Sequence, residues 1–242
     1  MLPTIEAKNF YLKKGDFQLK NISFQIHAKE IFAILGKTGA GKTMLLESIA
    51  GFYRGIEGGI YLGGHNVLDI PLAERKIGFV YQDYGLFPHM TVKKNISYGL
   101  KMQKISKEER KKRVGHMAEI MSISHILDQH PNTLSGGEKQ RTALARTLVL
   151  SPNVLLLDEP FSALDPVTKR SMYKEILNIN EQFDCAIIFV THDFMEAQKL
   201  AHRIGIVDKG SLTAVRRSNE LFHSYQNEEM NQFLGIRKGE CI

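Results

Sequence analysis

Three short groups of residues carry chemistry that their types and spacing define. Gly36-Lys37-Thr38-Gly39-Ala40-Gly41-Lys42-Thr43 fits the phosphate-binding pattern G-x-x-x-x-G-K-[ST]. Glycines let backbone wrap closely around an anion, and the free N–H groups and dipole of a following helix face it. Lys42 is placed to reach the β- and γ-phosphates of a nucleotide, and Thr43 to set its hydroxyl on Mg²⁺. Further on, Val154-Leu155-Leu156-Leu157-Asp158-Glu159 is an apolar run ending in two carboxylates. A carboxylate at the end of a buried strand is expensive without a cation, and Mg²⁺, directly or through water, is the natural partner for Asp158. Glu159 is next along the chain and points elsewhere. Between these groups lies Leu134-Ser135-Gly136-Gly137-Glu138-Lys139-Gln140-Arg141. Small residues before a helix beginning near Glu138 make a second anion site, although one chain does not need two sites for one phosphate.

The elements that must position these groups follow from hydrophobic patterning. Ile31–Leu35 is a continuous apolar run suited to a buried parallel strand. A glycine-rich turn and a helix over Lys42–Ala50 come after it. Ile22, Phe24 and Ile26 alternate with polar residues, so 4–30 reads as short antiparallel strands. Ile77–Val80 is another buried strand. Over 84–151 the pattern becomes helical. Ser106-Lys107-Glu108-Glu109 has capping-box spacing, and Val114, Met117, Ala118 and Met121 fall on one helical face, a stripe that reads as core rather than as a site. Strand 153–158, helix 166–182, strand 186–190, helix 193–201 and strand 203–208 complete the series. Alternating strand and helix implies an α/β sheet with right-handed crossovers. The tail over 216–242 reads as helical and charged.

Composition bounds the rest. The 242 residues are 43% apolar and 24% charged, which is globular rather than disordered. The net charge of +6 suits an anionic partner or, more simply, a solvated surface. Cys185 and Cys241 have neither metal nor disulfide-framework spacing and fit a reducing compartment. The N-terminus lacks the apolar core of a signal peptide, and no apolar run approaches the roughly 18 residues of a membrane helix. The expectation is a soluble, cytoplasmic chain; any transport role needs another chain to cross the membrane.

The three groups, in this order and spacing, resemble the ATPase subunits of ATP-binding-cassette (ABC) transporters over roughly residues 1–235. The resemblance implies a single α/β domain over 1–242: a P-loop NTPase core (1–83 and 152–215) with an antiparallel β subdomain, an inserted helical subdomain (84–151) and a tail (216–242). It implies ATP and Mg²⁺ as cofactors, with Gly36–Thr43 on the phosphates and Thr43, Asp158 and Gln82 toward the metal. Glu159 would orient or deprotonate the attacking water. Gln82, in Val80-Tyr81-Gln82-Asp83, would contact Mg²⁺ and water and link to the insert. His192, in Thr191-His192-Asp193, would contact the γ-phosphate. The second anion site is then explained by a head-to-tail homodimer, in which Ser135-Gly136-Gly137 caps the ATP held by the partner. Ser162-Ala163-Leu164-Asp165 resembles the loop that signals between the two sites. One position departs from the pattern: Lys14 stands where the family often stacks an aromatic on adenine, and neither Tyr11 nor Phe17 fills that slot by alignment.

Within the family the chain looks like the importer type. Gly85-Leu86-Phe87-Pro88-His89-Met90-Thr91-Val92 resembles the segment that touches a membrane subunit, which places permease docking near Phe87–Val92. Gly36–Lys42, Tyr81-Gln82-Asp83-Tyr84-Gly85-Leu86-Phe87-Pro88-His89, Asn95-Ile96-Ser97-Tyr98-Gly99-Leu100 and the short C-terminus look most like molybdate/tungstate importer ATPases; sulfate, iron and polyamine importers share much of this. The resemblance implies a peripheral protein on the cytoplasmic face of the membrane, with permease subunits and, indirectly, an extracytoplasmic binding protein as partners. A nucleic-acid-associated ATPase would explain the basic charge. It is disfavoured, and no nucleic-acid partner is expected, because those proteins place a long coiled coil between the lysine loop and the Asp-Glu strand, and no heptad run occurs here. An exporter ATPase is usually fused to membrane helices.

Overall fold

The computed structural model describes residues 2–225 and 228–236, so Cys241 and the end of the expected charged tail lie outside the described residues. The chain opens with an antiparallel hairpin of β1 (Ile5–Lys14) and β2 (Phe17–Ile26). Two ten-residue strands replace the several short ones expected over 4–30, because apolar alternation continues through Ile5, Ala7, Phe10 and Leu12, all buried. The buried strand β3 (Ile31–Leu35) leads through the glycine loop to α1 (Lys42–Ile49). β4 (Glu57–Leu62) and β5 (His65–Asn66) extend the hairpin, and β6 (Ile77–Val80) follows.

Three helices then stand between β6 and the next strand: α2 (Val92–Met102), α3 (Lys107–Ile120) and α4 (Gly136–Leu148). Val114, Met117, Ala118 and Met121 are all buried, as their spacing requires. Ser106 caps α3 by accepting from Glu109 N, but the Glu109 carboxylate pairs with Arg113 at 2.7 Å, so only half of the expected capping box forms. The full box occurs at Ser135 and Glu138 instead.

The second half alternates regularly: β7 (Val154–Asp158), α5 (Pro166–Gln182), β8 (Ala186–Thr191), α6 (Phe194–Leu200), β9 (Arg203–Asp208). β10 (Ser211–Arg217) turns back antiparallel to β9, so the first residues of the expected tail are strand; α7 (Glu228–Leu234) follows. All ten strands form one sheet, ordered β5-β4-β1-β2-β10-β9-β3-β8-β7-β6. β3, β8, β7, β6 and β9 are parallel, and alternate residues feed two cores. Ile31, Ala33 and Leu35 join Leu155, Leu157, Ile187 and Phe189 on the face covered by α2–α4 and α5. Phe32 and Ile34 join Leu156, Ile188 and Val190 on the face covered by α1 and the hairpin. A parallel sheet covered on both faces reads as continuous apolar runs for this reason.

Candidate functional site: a phosphate cradle at the carboxyl edge of the sheet

The register of the parallel strands gathers the sequence-picked residues. Leu35 pairs with Thr191, Val190 with Asp158, and Leu157 with Val80. The loops carrying Gly36–Thr43, His192, Glu159 and Gln82 therefore leave one carboxyl edge side by side, where open α/β sheets place ligands.

The glycine loop is fixed by its backbone conformation and by close approach to its neighbours. Gly41 caps α1 at φ 98°, a left-handed conformation that disfavours a side chain. A Cβ at Gly36 would collide with the carbonyl of Val207. α1 has no side-chain cap, and among the described residues nothing accepts from the backbone N–H groups of Gly39, Gly41, Lys42 or Thr43. Lys42 is 5% exposed. Its ammonium donates to the carbonyls of Gly36 (2.9 Å) and Lys37 (3.1 Å) and lies 3.7 Å from Glu159 Oε1. Burial lowers its pKa, and the Glu159 carboxylate opposes that shift.

Asp158 is also buried, and both carboxylate oxygens lie 3.1 Å from the Thr43 hydroxyl. One hydroxyl has one proton, so the carboxylate is under-compensated, and burial raises its pKa. Unpartnered N–H groups, a buried ammonium and a buried carboxylate beside a hydroxyl suit a phosphate chain with a divalent cation. Among the described residues no cluster of three or more His, Cys, Asp or Glu could hold a metal by itself. A cation here would use Thr43 and Asp158 together with phosphate oxygens.

Glu159 sits at φ 43°, unusual for a residue other than glycine. That turn swings its carboxylate away from Asp158, to 3.4 Å from His192 Nδ1 while it keeps the Lys42 contact. Gln82 Nε2 donates to Ser162 Oγ at 3.2 Å, and Ser162 Oγ donates to the Glu159 carbonyl at 3.0 Å. Glu159 thus meets the cradle directly, His192 through Glu159, and Gln82 through Ser162 and the Glu159 carbonyl.

Ser135, Gly136 and Gly137 stand apart from it. Among the described residues, no hydrogen bond or ion pair links them to the Gly36–Thr43 loop. They line a separate concavity with Ala163, Leu164, Asp165 and Thr168. Ser135 caps α4, and its hydroxyl and backbone N–H both donate to Glu138, at 2.7 and 2.8 Å. These bonds lower the Glu138 pKa, the hydroxyl bond contributing most.

Several contacts around the cradle carried no sequence signal. Lys14 Nζ donates to Tyr53 OH at 2.5 Å, and Tyr53 OH donates to Glu47 on α1 at 3.0 Å. Lys14 is thus tied through Tyr53 to the last turn of α1, and Tyr53 is the aromatic under it, at 4.4 Å. Behind His192, Thr191 Oγ1 donates to the buried Glu196, which pairs with Lys169 from α5. Lys169 also reaches Asp193 at 3.3 Å, so α5 holds the His192 loop in place. Burial opposes the Lys169 charge, but its bonds to Glu196 and Asp193 outweigh that and raise its pKa.

Fold and cradle together define a P-loop NTPase. The ABC transporter family model matches residues 19–162, more than half of the chain, and the chain belongs to that family. It is similar to the maltose/maltodextrin import ATP-binding protein MalK of Vibrio cholerae, 40% identical over 98% of this chain and 64% of that relative. It is also similar to the molybdate/tungstate import ATP-binding proteins WtpC of Pyrococcus abyssi (44% identical over 91% of this chain and 64% of the relative) and Archaeoglobus fulgidus (44%, 92% and 91%). The chain therefore spans about two-thirds or less of MalK and the Pyrococcus protein. Among solved structures, cbiO1 of Clostridium perfringens, part of the ABC transporter complex cbiONQ, superposes with a TM-score of 0.83 at 27% identity over 92% of this chain and 91% of that one. The dimeric ATP-binding cassette MJ0796 bound to ADP and Pi superposes with a TM-score of 0.78 at 30% identity, covering 88% and 98%.

Proposed function

We propose that this chain binds and hydrolyses ATP as the peripheral ATPase subunit of an ABC importer. The observation that carries the reading is the cradle: a buried ammonium, unpartnered loop N–H groups and a buried Asp158–Thr43 pair at one sheet edge. In this reading Gly36–Thr43 holds the phosphates, with Lys42 leaving its loop carbonyls for the β- and γ-phosphates. Thr43, Asp158 and Gln82 hold Mg²⁺, which when bound neutralises charge building on the transferring group. Glu159 lies between Lys42 and His192 and orients or deprotonates the attacking water; His192 senses the γ-phosphate. Ser135-Gly136-Gly137 completes the site of a second, identical chain. The dimeric MJ0796 cassette supports that arrangement. The whole chain would act as one domain, with core 1–83 and 152–215, insert 84–151 and tail 216–242.

The membrane partner would dock on an apolar groove of about 600 Å³ lined by Phe79, Phe87, Tyr98, Met102 and Leu150, at the cytoplasmic face of the membrane. Among the described residues no helix is long and apolar enough to cross a bilayer, so permease subunits would do so. The cargo reading is molybdate or tungstate, supported by the WtpC relatives; an extracytoplasmic binding protein would deliver it. The MalK relatives favour maltodextrin as the second reading.

Glu159→Gln tests the chemistry. It keeps shape and removes the carboxylate, so nucleotide affinity should persist, hydrolysis should fall by about 100-fold or more, and Mg-ATP should drive dimerisation on gel filtration. Wild-type turnover in this variant would remove Glu159 from the reaction. Uptake of molybdate by the chain with its permease, competed by tungstate or by maltose, decides the cargo.

A further inference from the structure

Arg146, near the end of α4, has no ion pair among the described residues; Asp83 is the one acid whose charge it senses. Its guanidinium is directed at backbone instead. Nη1 donates to the Gly85 carbonyl at 2.6 Å and Nη2 to the Tyr84 carbonyl at 3.0 Å. The guanidinium carbon lies 5.3 Å from the Phe87 ring centroid. Tyr84 (φ 65°) and Gly85 (φ 53°) are consecutive left-handed residues, a turn that persists only when its surroundings fix it.

That turn has two functional neighbours. Gln82, on its sheet side, bonds to Ser162 at the cradle. Phe87, on its other side, forms a wall of the apolar groove. Phe87 is separately anchored by the fully buried Asn95, whose Oδ1 accepts from Phe87 N at 2.9 Å and whose Nδ2 donates to the carbonyls of Phe87, Met90 and Thr91 at 3.1 Å. Residues 84–87 are thus gripped by α2 through Asn95 and by α4 through Arg146. Since α4 begins at Ser135, one rigid helix carries both the second anion loop and the guanidinium that shapes the Gln82–Phe87 turn.

We infer that Arg146 is a positioning residue that makes α4 the lever between the nucleotide and the groove. The inference rests on the nucleotide reading of the cradle. A planar fork is needed: two carbonyls at fixed separation match a guanidinium, whereas an ammonium meets them as a point charge.

The test uses the full chain with Cys241→Ser and Met102→Cys, carrying an environment-sensitive dye in the groove, in the Glu159→Gln background. Mg-ATP should change the dye signal. Arg146→Lys should bind Mg-ATP within about twofold of its parent and unfold within a few degrees of it, yet lose most of the dye response. A purely structural Arg146 predicts the reverse: Arg146→Met loses melting temperature, and Arg146→Lys restores both stability and response. A full response in Arg146→Lys overturns the inference. So does a parent that binds Mg-ATP with no dye response, because α4 then carries nothing to the groove. A parent that does not bind Mg-ATP at all overturns the nucleotide reading itself, which a direct binding titration distinguishes.

Discussion

Two helices in this chain begin at glycine-rich turns, and they begin in opposite ways. α1 starts at a left-handed Gly41 with no side-chain cap and, among the described residues, with loop N–H groups unpartnered. α4 starts at Ser135 with both halves of a capping box made by Glu138. The first N-terminus is unfinished within the chain and surrounded by buried charge that an anion and a cation would balance. The second is complete in itself, and its concavity faces Ala163–Thr168 rather than the cradle. In the proposed two-chain site the open N-terminus would take the phosphates and the closed one would hold its shape for a partner.

Breaking the open half should have the largest effect. Lys42→Ala removes the buried ammonium of the cradle, and both nucleotide affinity and hydrolysis should fall, hydrolysis by about 1,000-fold; equilibrium binding of a fluorescent ATP analogue and phosphate release measure the two. Ser135→Arg should separate them. Hydrolysis should fall by about 100-fold, while affinity of the isolated chain stays within about twofold. An affinity loss as deep as that of Lys42→Ala would place Ser135 in the same-chain site. Equimolar mixing of the two variants should restore part of the activity, because one of the two sites then has both native halves. Phosphate release that stays at the level of the separate variants would count against shared sites.

Smaller effects sharpen the contrast. Glu138→Ala should lower stability by about 0.5 kcal/mol through loss of the carboxylate half of the capping box, read by denaturant midpoint. No cap exists at α1 to lose. Asp158→Asn should act in the opposite direction on the ligand-free chain, raising stability by about 1 kcal/mol, since it replaces an under-compensated buried carboxylate. The sign also appears with pH. The folded Asp158 pKa lies above its unfolded value, so its charged form penalises the fold above the ordinary carboxylate range, and the penalty disappears as pH falls below the unfolded value. Native and Asp158→Asn chains should therefore converge in this contribution toward low pH. A stability difference that is constant with pH would show that the carboxylate is not strained by burial.

The sequence exposed the cradle because its parts are local. Gly36–Thr43 and Val154–Glu159 are contiguous stretches whose chemistry is legible without a fold, and apolar runs located β3, β7 and β8. Contacts between residues far apart in the chain were not legible. Nothing in sequence pairs Lys14 with Tyr53, Lys169 with Glu196, or Arg146 with the Tyr84 carbonyl, since each depends on where crossovers bring helices. The capping box at Ser135-Gly136-Gly137-Glu138 was legible by spacing, yet the glycines drew the reading toward anions alone. β10 was missed because Ser211–Arg217 has no buried residue to set a period, and it took the start of what looked like a helical tail. The resemblance to ABC ATPases supplied roles for Gln82 and His192 that no local pattern gives.

The sheet is continuous in order but not in strength. Between the antiparallel lobe and the parallel core, β2 and β10 pair through a single register position, Ser211 with Lys20, reinforced by Lys20 N donating to the Gly210 carbonyl at 2.8 Å. Beside that join, Gly210 N donates to the carbonyl of Ala40 within the phosphate loop, at 3.1 Å. The join is thus a seam held by side chains more than by backbone, with Phe24 stacked on Phe32 at 5.5 Å across it, and it runs beside the loop. A ligand that stiffens Gly36–Thr43 would, by the same connection, act as a rivet across that seam.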